Sequence, residues 1–293
     1  MKNSVLVLGS TGLIGHQVYN YLKENSDYNL SSISYRKKLE DDTIILDIRE
    51  EKNFINQVKI IRPNHIINCT GILISGANKD PENAIFLNAY MPHRLARLSD
   101  EIHSKLTNIS TDCVFSGDKS APYVETDEKD GKDTYAKTKG LGEVINDKHL
   151  TLRTSVVGPE LKSDGEELFN WFMNQSVSIN GFTKAIWSGV TSRELAKAVK
   201  WSIDNEITGL YHLTNNQTIN KNEILQLFKK YTKKDIEILP VDGESIDKSF
   251  LDTRKLIDYS IPSYDQMFAQ MIQSIINNRS TYSHYKIGNI SDG

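Results

Sequence analysis

The first fifteen residues constrain this chain more than any other stretch. Ser4–Leu8 (SVLVL) is a short apolar run rich in β-branched residues, and it ends in Gly9-Ser10-Thr11-Gly12-Leu13-Ile14-Gly15. An amphipathic segment follows, with Ile14, Val18, Tyr21 and Leu22 on one face. Strand, glycine turn and helix in that order open a βαβ unit. Gly9 suits the tight turn, Gly12 lets the backbone approach a ligand, and Gly15 lets the helix pack on the strand. The helix N-terminus then aims free N–H groups at a pyrophosphate. The spacing is Gly-x-x-Gly-x-x-Gly, not Gly-x-Gly-x-x-Gly, so the nucleotide reading rests on the placement between strand and helix. It makes all seven residues of the turn, Gly9, Ser10, Thr11, Gly12, Leu13, Ile14 and Gly15, candidate cofactor contacts.

The pattern continues as alternating strands and helices. Strands are expected at 30–35, 43–46, 65–68, 106–110 and 151–157, which predicts an α/β chain with a Rossmann-type, doubly wound parallel sheet. Beyond 157 the strict alternation stops. The expected division is a cofactor-binding domain over 1–157, open to taking back later segments such as 185–205. A smaller α/β substrate-binding region spans mainly 158–278, and 279–293 is a polar tail expected to fray.

Cofactor type is written after the second strand. An NAD-specific fold places an acid about 20 residues past the glycines, on the ribose hydroxyls. Here Arg36, Lys37 and Lys38 stand instead. Cations suit a 2′-phosphate, so NADPH is preferred and NADH stays open; a solvated turn is the alternative. Asp47, with Ile48, closes the third strand, where an acid can accept a hydrogen bond from an adenine amino group. Cys69-Thr70-Gly71 closes the fourth in a small-residue turn that lets the backbone approach the cofactor.

Bulk properties exclude several classes. Net charge is −3, so the whole molecule does not attract nucleic acid. The two cysteines, Cys69 and Cys113, form no Cys-x-x-Cys pair, which suits free thiols in the cytoplasm. No apolar run approaches the ~18 residues of a membrane span, and the N-terminus lacks a signal-peptide core. His93 and His103 show no metal-ligand spacing, so no metal is expected.

The chemistry centres on residues 133–143, DTYAKTKGLGE. Tyr135 and Lys139 are four apart in helix-favouring sequence and share a face. The ammonium is expected to pull the phenol pKa below its usual value of about 10, and a phenol so tuned passes a proton to an oxygen. Asp133 or Thr134 caps this helix. Thr111 lies at the carboxyl end of the fifth strand, facing the ligand crevice, and 118–132 reads as an exposed loop over the site. Asn88 is a buried-asparagine candidate, structural or catalytic. Residues 180–190 read as a binding loop in which Trp187 stacks on a ring or serves the core. Arg254 and Lys255 contact a substrate diphosphate or merely open a charged helix.

Gly9–Gly15, Thr111 and Tyr135/Lys139 together resemble the extended short-chain dehydrogenase/reductase superfamily, over nearly the whole chain. Ser110-Thr111-Asp112 with Val114-Phe115, Arg153-Thr154-Ser155, Gly209-Leu210-Tyr211-His212-Leu213 and Leu251-Asp252-Thr253-Arg254-Lys255 look closest to its dTDP-4-dehydrorhamnose reductase branch. The resemblance implies that Thr111, Tyr135 and Lys139 form the catalytic set. Threonine positions the carbonyl, tyrosine supplies a proton as hydride arrives, and lysine holds the nicotinamide ribose. It implies a nucleotide-sugar substrate, a role in cell-surface polysaccharide synthesis, and compatibility with a homodimer. Two positions depart from the branch: its usual tyrosine after Thr-Asp is Cys113, and its usual aromatic after Arg-Thr-Ser is Val156. Both lie where the sugar is expected, so a different 4-keto-6-deoxyhexose or a UDP-linked amino sugar fits as well as rhamnose. Rival readings are an epimerase that retains NAD and a non-catalytic regulatory subunit on the same fold.

Overall fold

A computed structural model describes residues 3–119, 122–254 and 259–288. Its centre is a seven-stranded sheet with every neighbour pair parallel. The strands are β1 (Ser4–Leu8), β2 (Asn29–Ser34), β3 (Ile44–Ile45), β4 (His65–Asn68), β5 (Lys105–Thr111), β6 (Leu150–Thr154) and a returning Gly209–His212. Their spatial order runs from the returning strand through β6, β5, β4, β1 and β2 to β3. The order reverses next to β1, which places a crevice beyond the carboxyl ends of β1 and β4.

Strand alternation sets the two cores. Val5 and Val7 face one layer with Val18, Leu22 and Ile67, while Leu6 and Leu8 face the other with Phe54, Val58, Ile66 and Leu95. The first layer contains α1 (Leu13–Asn25); the second contains α2 (Glu51–Ile61). Between β4 and β5 come α3 (Ile74–Lys79), α4 (Pro81–Ala84), a π-helical turn Ile85–Tyr90 and α5 (Met91–Glu101). The π turn lies just before Pro92 and carries Asn88. After β5, α6 (Thr134–Leu141) bears Tyr135 and Lys139.

The second half is built from smaller pieces: β7 (Val156–Val157), α7 (Leu168–Met173), β8 (Ser178–Phe182), β9 (Ala185–Trp187), β10 (Val190–Thr191) and α8 (Ser192–Asp204). Then follow β11 (the returning Gly209–His212), β12 (Ile219–Asn220), α9 (Lys221–Thr232), β13 (Glu237–Val241), β14 (Ile246–Asp247) and α10 (Tyr264–Asn277). Helix α8 packs on α1, and β11 extends the main sheet beside β6.

Three expectations are corrected. Residues 180–190 are not a free loop: β8 pairs with β13, and β9 pairs with β12 and β14. Loop 118–132 is pinned over its described part, because Tyr123 is buried, stacks on Phe115 at 4.1 Å and packs with Phe250. The tail does not fray over 279–288, because Tyr282 and Tyr285 join the larger core. Among the described residues no helix is long and apolar enough to cross a membrane.

Candidate active site

The glycine turn adopts the geometry its sequence predicts. Gly9 has φ +74°, and a Cβ at Gly15 would run into the Gly9 carbonyl. Gly12 is the N-cap of α1 and supplies no capping side chain; no acid occupies the first turn. The first N–H groups of α1 therefore have no side-chain cap, the arrangement that receives a diphosphate.

A cleft of about 540 Å³ opens beside this turn. Of the expected cofactor residues, Gly9, Thr11 and Gly12 line it, as do Arg36, Asp47 and Ile48, and Cys69, Thr70 and Gly71 on the opposite wall. Ser10 and Gly15 are buried beneath the turn, and Leu13 and Ile14 face the adjoining crevice instead. Lys37 is not among the lining residues; it sits in an exposed turn whose carbonyl accepts the Ser34 hydroxyl. A second cation comes from Arg49, which the sequence reading missed. Its Nη2 donates to Asp47 Oδ2 at 2.6 Å and to the Tyr35 hydroxyl at 2.8 Å. Arg36 and Arg49 both lie over the Tyr35 ring, 4.5 and 5.2 Å from its centroid. Arg49 holds the Asp47 carboxyl below the usual range. Two guanidiniums against one carboxylate leave this end of the cleft cationic, which fits a phosphorylated adenosine.

A second crevice of about 280 Å³ continues from Leu13 and Ile14 past Thr111, Cys113 and Tyr135 to Val156. Thr111 is the last residue of β5; its Oγ1 accepts the Cys113 N–H at 3.1 Å and donates to Asp112 Oδ1 at 3.2 Å. Asp133 caps α6 by accepting the Ala136 N–H at 2.8 Å, which fixes the register that brings Tyr135 to Thr111. Lys139 is buried one turn further on, and its Nζ donates to the Ile109 carbonyl at 2.7 Å.

The expected depression of the Tyr135 pKa is not found. Burial raises the phenol, with the charges of Cys113 and Asp112 adding to the rise, while a hydrogen bond with Thr111 opposes it. The Lys139 ammonium is engaged by Ile109, and burial lowers it to about 8. Tyr135 is thus a fully protonated acid at neutral pH, and that is the form a proton donor needs.

Asn88 holds the crevice from below. Its Oδ1 accepts the Ile72 N–H at 2.9 Å, and its Nδ2 donates to the Ile72 carbonyl at 3.0 Å and to Thr138 Oγ1 at 3.3 Å. It clamps the turn after β4 to the helix of Tyr135.

Of the expected substrate residues, Thr111, Cys113 and Val156 reach this crevice. Trp187 does not. It is 4% exposed in the core, and its indole N–H donates to Ser155 Oγ at 2.7 Å, so it props the crevice wall from behind. Arg254 does not reach the crevice either; its Nη1 donates to the Leu210 carbonyl at 3.0 Å. Lys255 lies outside the described residues.

Under Thr111 lies a charged network that the sequence reading did not detect. Arg153, 1% exposed, forks onto Glu143 at 2.7 and 2.6 Å and donates from Nη1 to His212 Nε2 at 2.8 Å. Glu143 also accepts the Ser110 hydroxyl at 2.7 Å. His212 then donates from Nδ1 to the Leu251 carbonyl at 2.9 Å. Its sequence traces are Arg153 and His212, polar residues inside strands that otherwise read as core, and Glu143 in the loop after α6.

The fold, the uncapped glycine turn and the Thr111–Tyr135–Lys139 group define an NAD(P)-dependent oxidoreductase of the short-chain dehydrogenase/reductase class. The sequence profile described as the RmlD substrate binding domain matches residues 1–250, and the chain belongs to that family. It is 28% identical over 225 residues to a dTDP-4-dehydrorhamnose reductase of Salmonella typhimurium, covering 73% of each chain. It is 29% identical over 234 residues to methionine adenosyltransferase 2 subunit beta of Xenopus tropicalis, covering 75% of this chain and 69% of that one. The crystal structure of a dTDP-4-dehydrorhamnose reductase from Bacillus anthracis in complex with NADP superposes with a TM-score of 0.78 at 24% identity, over 94% of this chain and 100% of that one.

Proposed function

We propose that the protein reduces the 4-keto group of a nucleotide-linked 6-deoxy sugar at the expense of NADPH, in the cytoplasm and for cell-surface polysaccharide. The observation that carries this reading is the adjacency of the two cavities: Gly12 lines the glycine-turn cleft, and Leu13 and Ile14, next in the chain, line the crevice that holds Thr111 and Tyr135. NADPH, when bound, supplies the hydride. The remaining steps belong to the chain. The α1 N-terminus holds the diphosphate, and Arg36 and Arg49 hold the 2′-phosphate. Thr111 positions the ketone oxygen, and Tyr135 gives that oxygen its proton. Lys139 keeps a cation beneath the site, and Asp112, whose carboxyl burial raises, accepts from Thr111. Residues 1–157, with α8 and β11, serve the cofactor in this reading, and 158–278 chiefly serve the sugar nucleotide.

A second reading, a non-catalytic subunit, draws support from the similarity to methionine adenosyltransferase 2 subunit beta. The intact Thr111, Tyr135 and Lys139 favour the enzyme. The deciding experiment follows NADPH absorbance with a panel of dTDP- and UDP-linked 4-keto sugars, using wild type and Tyr135→Phe. We expect oxidation with at least one sugar, and a turnover loss of about 100-fold or more in the variant with NADPH affinity retained. An epimerase would convert substrate without net NADPH loss. Equal turnover in Tyr135→Phe would remove the proton-donor assignment.

A further inference from the structure

The segment after α10 makes contacts that its polar sequence does not announce. Tyr282 is 3% exposed and lies against His16, which is fully buried in the first turn of α1. The bonds form a directed chain. Gln17 Nε2 donates to the Tyr282 hydroxyl at 2.5 Å. That hydroxyl lies 2.8 Å from His16 Nε2, and His16 Nδ1 lies 2.7 Å from the Gly12 carbonyl. A carbonyl only accepts, so Nδ1 carries the proton and donates to Gly12, and Nε2 is left to accept from Tyr282. Gln17 Nε2 also stands 3.3 Å from His16 Nε2, and the Gly12 carbonyl also accepts the His16 main-chain N–H at 3.2 Å, so the side-chain bonds add to the first bond of the helix.

Gly12 is the N-cap of the cofactor helix. The peptide joining it to Leu13 is planar and trans, so its carbonyl and the Leu13 N–H point in opposite directions. Fixing the carbonyl on His16 fixes that N–H toward the opposite side of the turn. The same segment reaches the second cavity: the Glu160 N–H donates to the Tyr285 hydroxyl at 2.9 Å, and Glu160 Oε2 accepts the Glu167 N–H at 3.0 Å. Glu167 lines the crevice beside Tyr135.

We propose that residues 279–288 form a strap in which Tyr282, through His16, reinforces the orientation of the Gly12–Leu13 peptide for the cofactor diphosphate, while Tyr285 ties the same segment to the substrate wall. Tyr282 and His16 are positioning residues in this assignment. The assignment rests on the nicotinamide-cofactor reading of the glycine turn.

The test uses the full chain with Tyr282→Phe, which keeps the ring and removes the hydroxyl. NADPH binding is followed by fluorescence. Binding of 2′-AMP, which has the phosphorylated adenosine but no diphosphate, is measured in parallel. Loss of one buried hydrogen bond at the turn should weaken NADPH by about tenfold and leave 2′-AMP within about twofold. Turnover at saturating NADPH should change little. In cofactor-free protein, amide hydrogen exchange at residues 13–16 should accelerate while exchange in β5 stays unchanged. Unaltered NADPH affinity in folded Tyr282→Phe, or equal weakening of NADPH and 2′-AMP, overturns the proposal. If Tyr282→Phe fails to fold, Gln17→Met removes only the upstream donor and is expected to give the same pattern at about two- to threefold. Failure of wild type to bind NADPH or NADH would overturn the cofactor reading instead, and the exchange measurement would still decide whether the strap holds the turn.

Discussion

Arg153 and Glu143 provide the most demanding test of the site's foundations. The guanidinium is 1% exposed and the Glu143 carboxylate is fully enclosed. Arg153→Met removes the fork and leaves that carboxylate with only the Ser110 hydroxyl at 2.7 Å and the half-exposed Lys129 at 3.3 Å. Breaking a buried pair from one side costs about 3–5 kcal/mol, and these surviving partners put the cost near the lower end, at about 3 kcal/mol. Glu143→Leu should cost a similar amount, because it strands the guanidinium beside Phe115, 4.9 Å from the ring centroid. The double variant removes both charges, so its cost should stay near about 3 kcal/mol and not reach the sum of about 6. Urea titrations followed by circular dichroism give the four stabilities, with the slope checked for a constant unfolding transition. Single variants costing under about 1 kcal/mol, or costs that add to within about 0.5, would refute the view that the pair is a coupled, desolvated unit. Because Ser110 precedes Thr111, turnover should also fall in the singles.

Other perturbations separate the remaining parts. Arg49→Ala should lower the preference for NADPH over NADH by about tenfold, read as the ratio of kcat/KM values, since one of two cations at the 2′-phosphate is lost. With Lys139 lowered to about 8, activity should decline as pH rises through that value, and Lys139→Met should abolish this limb of the pH profile. Burial lowers His16 from 6.5 to about 4. The unfolded chain therefore binds the extra proton between those values, and stability contributed by neutral His16 is complete above about pH 6.5 and lost as pH falls toward 4. The full effect is about 3 kcal/mol, and His16→Phe should flatten the pH dependence of the unfolding midpoint in that window.

The legible parts of this protein are those whose signal is local. β1, the glycine turn and α1 follow from the nineteen consecutive residues Ser4–Leu22; Tyr135, Lys139 and their Asp133 cap follow from seven. Arg49 was missed although it stands two residues from Asp47, because its role depends on Tyr35, just past the end of β2. Trp187 was ambiguous because an aromatic on a short strand reads alike whether it faces a ligand or Ser155. The tail was misread because Tyr282 and Tyr285 find partners in His16, Gln17 and Glu160, more than a hundred residues away. Arg153 and His212 were quoted for family likeness without a physical role, since polar residues inside strands give no periodic signal, and Glu143 was quoted only as the end of the Tyr135 stretch, in the loop after α6.

The site therefore divides by origin. The residues proposed for proton transfer and cofactor binding sit at the carboxyl ends of β1, β4 and β5 and on the two helices α1 and α6, where short-range sequence dictates geometry. The wall proposed to face the sugar includes Cys113, Val156 and Glu167, which reach the crevice from three separate segments. Its two small apolar positions leave room where the reductase branch carries aromatics. Its carboxyl at Glu167 is raised by burial to about 8, so it is protonated at neutral pH and offers a hydrogen-bond donor in place of a charge. Under the proposed function, a crevice of that composition is expected to select by shape and by hydroxyl or amide acceptors on the sugar. Aromatics restored at Cys113 and Val156 should thus change which sugar is reduced before they change whether reduction occurs.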